Sequence, residues 1–263
     1  MTMNEKIIDN SSEYLPQLSQ TWQKILKLYP SEQGNRLQLD GIIDDQKWNS
    51  PQNKYRVLFF LKESYRRSDD TKNLYLYPLI NYLKDETAGG TFNTANKWMH
   101  AITGALSENE NFGLSYAALM NVSKIGLIDK TRTSAKTLRD ALADESYKTL
   151  LNQQFQEISP RIIVCGNTLP YLLKILQTEE NRKDFYKYRI AYCELGDKKE
   201  ERKIGYSPSF QGKTSLDLFL YKKYIIFSAY HPAAIHFRWF TAVEDFSNII
   251  QATRSDLMNV LSK

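Results

Sequence analysis

Three polar residues lie at or just beyond apolar runs of the sequence and have side chains suited to catalysis or recognition. Glu63 follows the run Val57–Leu61, where a carboxylate could act as a general base or stabilise a developing cation. His231 follows the run Tyr224–Ala229, and Pro232 restricts its backbone, so its ring could donate a hydrogen bond to an oxyanion or a phosphate. Asn121 is the next-to-last residue of a third run, 116–122, and offers both a donor and an acceptor.

Each of these residues also has an ordinary structural interpretation. Glu63 and the neighbouring Lys62 can be the first solvated residues after a buried strand, and His231 can simply cap another strand. Asn121 can be a turn residue that bonds to its own backbone. The functional hypothesis therefore depends on whether the fold brings the three residues together.

The elements that must position them alternate between short buried strands and helices, which predicts a three-layer α/β/α sandwich with a central parallel four-stranded sheet. The predicted strands are Val57–Leu61, 116–122, 161–165 and Tyr224–Ala229, and the predicted helices are 74–83, 95–106, 134–158 and 169–176. Ligands of such sheets bind beyond the carboxyl ends of the strands. Glu63, Asn121 and His231 are all expected at that edge.

The rest of the chain indicates one domain over residues 1–263 with an N-terminal helical extension over 13–29. The charged segment 181–202 is predicted to be a solvated loop with an extra strand over 188–194, and 243–261 to be helical. The net charge of +5 permits a polyanionic partner without proving one. Two cysteines whose spacing suggests no disulfide framework, together with the lack of a signal peptide or membrane-spanning run, predict a cytoplasmic protein.

Four segments in this order resemble the motifs of the uracil-DNA glycosylase superfamily. V-L-F-F-L-K-E-S at 57–64 looks like the first motif, and Y-A-A-L-M-N-V-S-K at 116–124 is similar to Y-I-T-N-V-V-K. Residues 158–173 resemble a structural strand-turn-helix, and S-A-Y-H-P-A-A at 228–234 resembles the H-P-S motif. The first motif departs from the G-E-A-P-G and G-Q-D-P-Y forms, and Ala233 replaces the serine of H-P-S.

The resemblance implies a DNA glycosylase that hydrolyses the N-glycosidic bond of a flipped-out base and leaves an abasic site. Glu63 and His231 would be catalytic, and Asn121 would read the base and stabilise its negative charge. Further base-binding residues would be Phe92, Ser64 and Tyr65, with an ordinary core role as the alternative for Phe92. The expected DNA contacts, which include a wedge in the minor groove, are Lys62, Lys124, Arg132, Ile235, His236, Phe237 and Arg238.

The expected partner is DNA, double- or single-stranded, with no membrane and with the protein as a monomer. No metal, cofactor or iron-sulfur cluster is expected, since two cysteines cannot supply the four ligands of that branch. The altered first motif favours a modified pyrimidine over uracil as the substrate, such as a bulky modified cytosine in phage DNA. Excision of such a base would be an anti-phage defence. Lys62 also suggests a lyase activity through a Schiff base, although a phosphate or structural contact is the better interpretation of this residue.

There are two competing hypotheses. One is a non-catalytic nucleic-acid-binding module with the same fold. The other is a small-molecule nucleotide enzyme, which is weakened because the sequence contains no G-x-G-x-x-G or P-loop pattern.

Overall fold

The structure is a computed structural model of the 263-residue chain. It describes residues 20–28, 40–62, 65–66, 90–103, 110–124, 127–128, 135–177, 185–191, 194–195, 198–199 and 215–229. The helices are α1 (Gln20–Leu28), α2 (Asp45–Trp48), α3 (Gly90–Thr103), α4 (Ala135–Ala141), α5 (Glu145–Ile158) and α6 (Leu169–Ile175), with a 3₁₀ helix over Glu110–Tyr116. The strands are β1 (Gly41–Ile42), β2 (Val57–Leu61), β3 (Tyr65–Arg66), β4 (Ala117–Asn121), β5 (Leu127–Ile128), β6 (Ile162–Gly166), β7 (Phe185–Ala191), β8 (Glu194–Leu195), β9 (Lys198–Lys199), β10 (Ser215–Tyr221) and β11 (Tyr224–Ala229).

The centre of the fold is a mixed sheet whose seven described strands lie in the order β1-β4-β2-β6-β11-β10-β7. The four middle strands, β4, β2, β6 and β11, pair with one another in parallel. At one edge β1 pairs with β4 in the antiparallel direction, and at the other β10 pairs antiparallel with both β11 and β7. The parallel strands therefore form the interior of the sheet, and antiparallel strands complete its two edges.

Both faces of this sheet are covered by helices. Phe59 of β2 belongs to a buried cluster with side chains of α3, whereas its neighbour Phe60 belongs to a cluster with side chains of α4, α5 and α6. Successive residues of a strand point to opposite faces, so each parallel strand must be apolar along its whole length. All five residues of β2, and all five of β6, are buried accordingly.

The predicted α/β class is confirmed, and the four strands named from the sequence form and pair in parallel. The prediction of a sheet with four strands is wrong, because β1, β7 and β10 extend it and make it mixed. The sequence does not predict β10. This strand is joined to β11 by a two-residue turn at Lys222 and Lys223, which lacks the usual turn residues glycine and asparagine. β7 overlaps the predicted strand 188–194 but begins three residues earlier.

The helix predicted over 134–158 is two helices, α4 and α5. Asp144 causes the break, because its carboxylate accepts hydrogen bonds from the backbone N–H groups of Ser146 and Tyr147 and so starts a new helix. α3 and α6 lie where helices were predicted, and α1 falls within the predicted helix 13–29. The helices predicted over 74–83 and 243–261 lie outside the described residues.

Within the described part of the chain, every helix is too short or too polar to cross a membrane.

Candidate functional site

The carboxyl ends of the four parallel strands meet at one edge of the sheet. The register places Leu61, the last residue of β2, beside Asn121, the last residue of β4. On the other side of β2, Ala229 at the end of β11 lies beside Gly166 at the end of β6. The residues that follow these four strand ends therefore start from neighbouring positions.

This edge contains a topological switch point between β2 and β6. The chain leaves β2 and crosses to β4 on one side, and the next strand, β6, lies on the other side of β2. In a sheet of this topology the connecting segments extend to opposite sides, and a crevice is expected beyond the carboxyl ends of the two strands. Lys62 follows β2 and Asn167 follows β6, so both border the expected crevice.

The segments after β2 and β4 continue side by side beyond the sheet. The N–H of Val122 donates to the carbonyl of Leu61 at 2.8 Å, and the N–H of Ser123 donates to the carbonyl of Lys62 at 2.7 Å. Farther along, Tyr65 of β3 pairs in parallel with Leu127 of β5. The chain on either side of position 63 is thus paired to the segment that follows Asn121.

A buried carboxylate, Asp40, anchors the segment that follows β4. Its Oδ2 accepts from the backbone N–H of Asn121 at 2.6 Å and from Nζ of Lys124 at 2.7 Å. Its Oδ1 accepts from Lys124 Nζ at 2.8 Å and from Nε2 of Gln154 at 2.7 Å. Four hydrogen bonds satisfy the carboxylate, and two of its partners lie at the candidate site.

The Lys124 side chain lies between the Asp40 carboxylate and the ring of Trp22. Both charged side chains of the Asp40–Lys124 pair are fully buried, and Lys124 Nζ lies 5.5 Å from the ring centroid of Trp22. Trp22 Nε1 donates to the carbonyl of Asp40 at 2.7 Å, and the hydroxyl of Tyr147 donates to the carbonyl of Val122 at 2.8 Å. Burial lowers the pKa of Lys124 from its ordinary value, and the Asp40 carboxylate opposes that shift.

Gln154 joins the network at a cost. Its Nε2 donates to Asp40, which leaves its Oε1 buried without a hydrogen-bond partner. A flipped amide would bring Oε1 against the carboxylate, so the observed orientation is the favourable one. The fold tolerates an unsatisfied carbonyl to complete the shell of Asp40.

The predicted phosphate contact of Lys124 is wrong, since its ammonium group lies in the interior against Asp40. Asn121 is at the predicted edge and 2% exposed, and Lys62 is half-buried beside it. Phe92, at the start of α3, packs partly buried against the core, which agrees with its alternative interpretation. The backbone of Tyr65 is in β3. The remaining predicted site residues lie outside the described residues: Glu63, Ser64, Arg132, His231, Ile235, His236, Phe237 and Arg238.

The sequence analysis missed Asp40, Gln154 and Trp22. Asp40 is 84 positions from Lys124 and 114 from Gln154, and no local pattern around it suggests a buried anion. The signal for this network in the sequence was Lys124, a lysine three residues after a wholly buried strand. That position could have suggested a buried counter-ion.

On the β6 side of the edge, a tight strand-turn-helix connection fixes the backbone. Asn167 has a left-handed φ of 59° and an exposed side chain, and its N–H donates to the carbonyl of Ala229 at 2.9 Å. The buried hydroxyl of Thr168 donates to the carbonyl of Phe60, and α6 begins immediately afterwards. The ends of β2, β6 and β11 are thereby tied together, with the Asn167 side chain facing outward.

Cys165 lies one residue before the end of β6 and is not a nucleophile in this arrangement. It is wholly buried, and burial raises the pKa of its thiol, with a smaller opposing effect of the Thr168 hydrogen bond. The reactive form of cysteine is the thiolate, which is therefore suppressed here.

We expect Cys165 to resist thiol reagents until the protein unfolds. In a Cys193→Ser background at pH 8, its reaction with 5,5′-dithiobis(2-nitrobenzoate) should be at least about 100-fold slower in the native protein than in 6 M guanidinium chloride. Absorbance at 412 nm follows the reaction. Native-state labelling at the denatured rate would show that Cys165 is accessible at the edge of the site.

No group of three or more His, Cys, Asp or Glu residues that could hold a metal ion occurs among the residues with described positions. No protein-family model matches the chain, and no curated protein is significantly similar to it.

Proposed function

We propose that the protein is a DNA glycosylase that hydrolyses the N-glycosidic bond of a flipped-out base. The observation that carries this proposal is the common edge at which β2, β4, β6 and β11 end, with a switch point between β2 and β6. Three residues with complementary chemistry follow or end those strands. They are Glu63, Asn121 and His231.

Glu63 takes the role of the catalytic carboxylate. It directly follows Lys62, whose carbonyl accepts from Ser123 N–H at the edge where the crevice is expected. A carboxylate that starts from this position can orient a water molecule for attack on the sugar and stabilise the positive charge that develops there. In such a mechanism the carbon–nitrogen bond breaks and the base leaves with the bonding electron pair. The water oxygen bonds to the sugar carbon and loses one proton, and the departed base takes up one proton.

Asn121 and His231 act on the departing base. Asn121 ends β4 and its backbone is fixed by Asp40, so its side chain has a defined position from which to recognise the base. His231 comes two residues after Ala229, which pairs with Gly166 at the same edge. Both residues would stabilise the negative charge on the base as it leaves, and this electrostatic effect is a large part of catalysis.

The proposed substrate is a modified pyrimidine in DNA, with a bulky modified cytosine preferred over uracil. The support is the K-E-S-Y sequence at 62–65, which departs from the uracil-type first motif around the proposed catalytic carboxylate. The DNA contacts are proposed for Lys62 and Arg132 and for the segment 235–238. Lys124 is excluded from them because Asp40 holds it in the interior.

The test is a direct assay for abasic sites. Labelled duplex and single-stranded oligonucleotides that contain uracil, 5-hydroxymethylcytosine, glucosylated 5-hydroxymethylcytosine or natural bases are incubated with the protein and then cleaved with alkali. We expect cleavage at one modified base, and a decrease of about 10²–10⁴-fold in the single-turnover rate for Glu63→Ala and for His231→Ala.

Glu145→Ala is the matched control, because this carboxylate is exposed at the start of α5 and should leave the rate unchanged. Full activity of Glu63→Ala would refute the assignment of the catalytic residue. Binding of DNA without abasic sites on any substrate would instead support the non-catalytic nucleic-acid-binding module.

A further inference from the structure

Five basic residues meet at the amino ends of β2, β6 and β11, the edge of the sheet opposite the candidate site. Arg56 precedes β2, Arg161 precedes β6, and Lys222 and Lys223 form the turn that enters β11. Lys54 lies two residues before Arg56. We call these five residues the basic edge.

Backbone hydrogen bonds show that these residues are neighbours. The N–H of Arg161 donates to the carbonyl of Arg56 at 3.0 Å, and the N–H of Ile225 donates to the carbonyl of Arg161 at 2.9 Å. Nη1 of Arg161 donates to the carbonyl of Lys54 at 3.3 Å. Since adjacent strands lie about 4.8 Å apart, the three strand starts span roughly 10 Å.

The basic edge faces solvent. Lys54, Arg161, Lys222 and Lys223 are exposed and Arg56 is half-buried. The two turn lysines lie over tyrosine rings, with Lys222 Nζ 5.1 Å from the centroid of Tyr221 and Lys223 Nζ 5.6 Å from that of Tyr224.

The described carboxylates form no ion pair with four of the five residues of the basic edge. The acidic residue nearest to Arg161 in sequence is Glu157, whose Oε1 accepts a hydrogen bond from Thr21. No ion pair joins Lys54, Arg56, Lys222 or Lys223 to a described carboxylate. Positive charge that is not paired with a described carboxylate therefore lies at the starts of β2 and β11.

The backbone gives a second reason to regard this charge as functional. Arg56 has a φ of 43° and Lys222 a φ of 52°, so both lie in the left-handed region that favours glycine and asparagine. A basic residue at each position is less favourable for folding than asparagine would be. Backbone conformations that are unfavourable for their residue type occur preferentially at functional sites.

We propose that the basic edge binds the phosphate backbone of a nucleic acid. B-form DNA carries about one negative charge per 1.7 Å of axis, so several phosphates fit within the roughly 10 Å span. Contacts of this type position a nucleic acid and do not read its sequence. The surface goes beyond the proposed function, because five-residue strands place it about 17 Å from the carboxyl ends where the base would be cleaved.

The double variant Arg56→Asn/Lys222→Asn tests this role without endangering the fold. Asparagine adopts the left-handed region more easily than arginine or lysine, so the urea midpoint should be unchanged or higher. Binding is measured by fluorescence anisotropy with a labelled 20-base-pair duplex of natural bases in 50 to 200 mM NaCl. We expect at least about tenfold weaker binding at 50 mM, and a decrease of about 1.8 in the slope of log K against log [NaCl].

Lys24→Gln/Lys97→Gln is the matched control, because it removes two positive charges from exposed positions on α1 and α3. It should leave the salt slope unchanged. An equal loss of affinity in both double variants would attribute binding to net charge and overturn the proposal. Unchanged DNA binding by Arg56→Asn/Lys222→Asn would also overturn the proposal. This includes the result in which the variant binds DNA normally but no longer sediments with phosphatidylserine vesicles.

The result is independent of catalysis, because the probe contains natural bases only. If no substrate is ever cleaved, the anisotropy experiment still decides the role of the basic edge. If the protein is a glycosylase, the double variant should keep the wild-type rate at saturating substrate.

Discussion

We expect Lys124→Met to lower the free energy of unfolding by about 3–5 kcal/mol. The substitution keeps the length of the side chain and removes the charge that faces Asp40 at 2.7 Å. Asp40 would remain in the interior as a carboxylate whose only hydrogen-bond donors among the described residues are the backbone N–H of Asn121 and Nε2 of Gln154. An uncompensated buried charge is among the most destabilising changes in a protein core.

Urea unfolding followed by circular dichroism measures this change. Lys136→Met is the matched control, because Lys136 forms an ion pair with Asp140 in which both side chains are more than half exposed. Exposed pairs of this type contribute little, so the control should lose less than about 0.5 kcal/mol. A loss of less than about 1 kcal/mol for Lys124→Met would contradict a desolvated, paired Lys124.

The double variant Asp40→Asn/Lys124→Met separates stability from anchoring. Removal of both charges leaves neither unpaired, so most of the stability lost in Lys124→Met should return. The bond from the Asn121 N–H would then end on a neutral amide oxygen, and charge-assisted hydrogen bonds are roughly twice as strong as neutral ones. Faster hydrogen exchange at the Asn121 amide is the expected consequence, and unchanged exchange would show that Asp40 does not anchor the segment.

The interior of the sheet could be predicted because its physical cause is local. A strand covered by helices on both faces must be a short continuous apolar run, and β2, β4, β6 and β11 are such runs. The edge strands lack this pattern: β10 reads S-L-D-L-F-L-Y and is separated from β11 by two lysines instead of a glycine or asparagine turn. Their place depends on pairing with neighbours, which the sequence does not display.

Long-range polar contacts explain the rest of what the sequence did not predict. Lys124 looked like a phosphate ligand because lysine is normally exposed, and only Asp40 and Trp22, both distant in sequence, make its burial possible. The break at Asp144 competes with a helical pattern that continues on both sides, and one side-chain cap decides it. By contrast, Asn121 at the carboxyl edge follows from strand direction alone.

Asn121→Ala is the sharpest test of the candidate site within the described residues. Its side chain is proposed to stabilise the departing base, whereas its anchor to Asp40 is made by the backbone N–H, which alanine keeps. We therefore expect the single-turnover rate on the best modified-base duplex to fall by about 10²–10³-fold. Folding should survive, with a loss of about 1–3 kcal/mol for the removal of a buried polar side chain.

Comparison of Asn121→Ala with Asp40→Asn/Lys124→Met identifies which part of Asn121 matters. The first variant keeps the anchor and loses the amide, and the second keeps the amide and weakens the anchor. Rate measurements at 25 °C, on preparations shown to be folded by circular dichroism, distinguish the two effects. If Asn121→Ala cleaves as fast as the wild type, the side chain does not contact the base, and recognition must be assigned to residues that follow β2, β6 or β11.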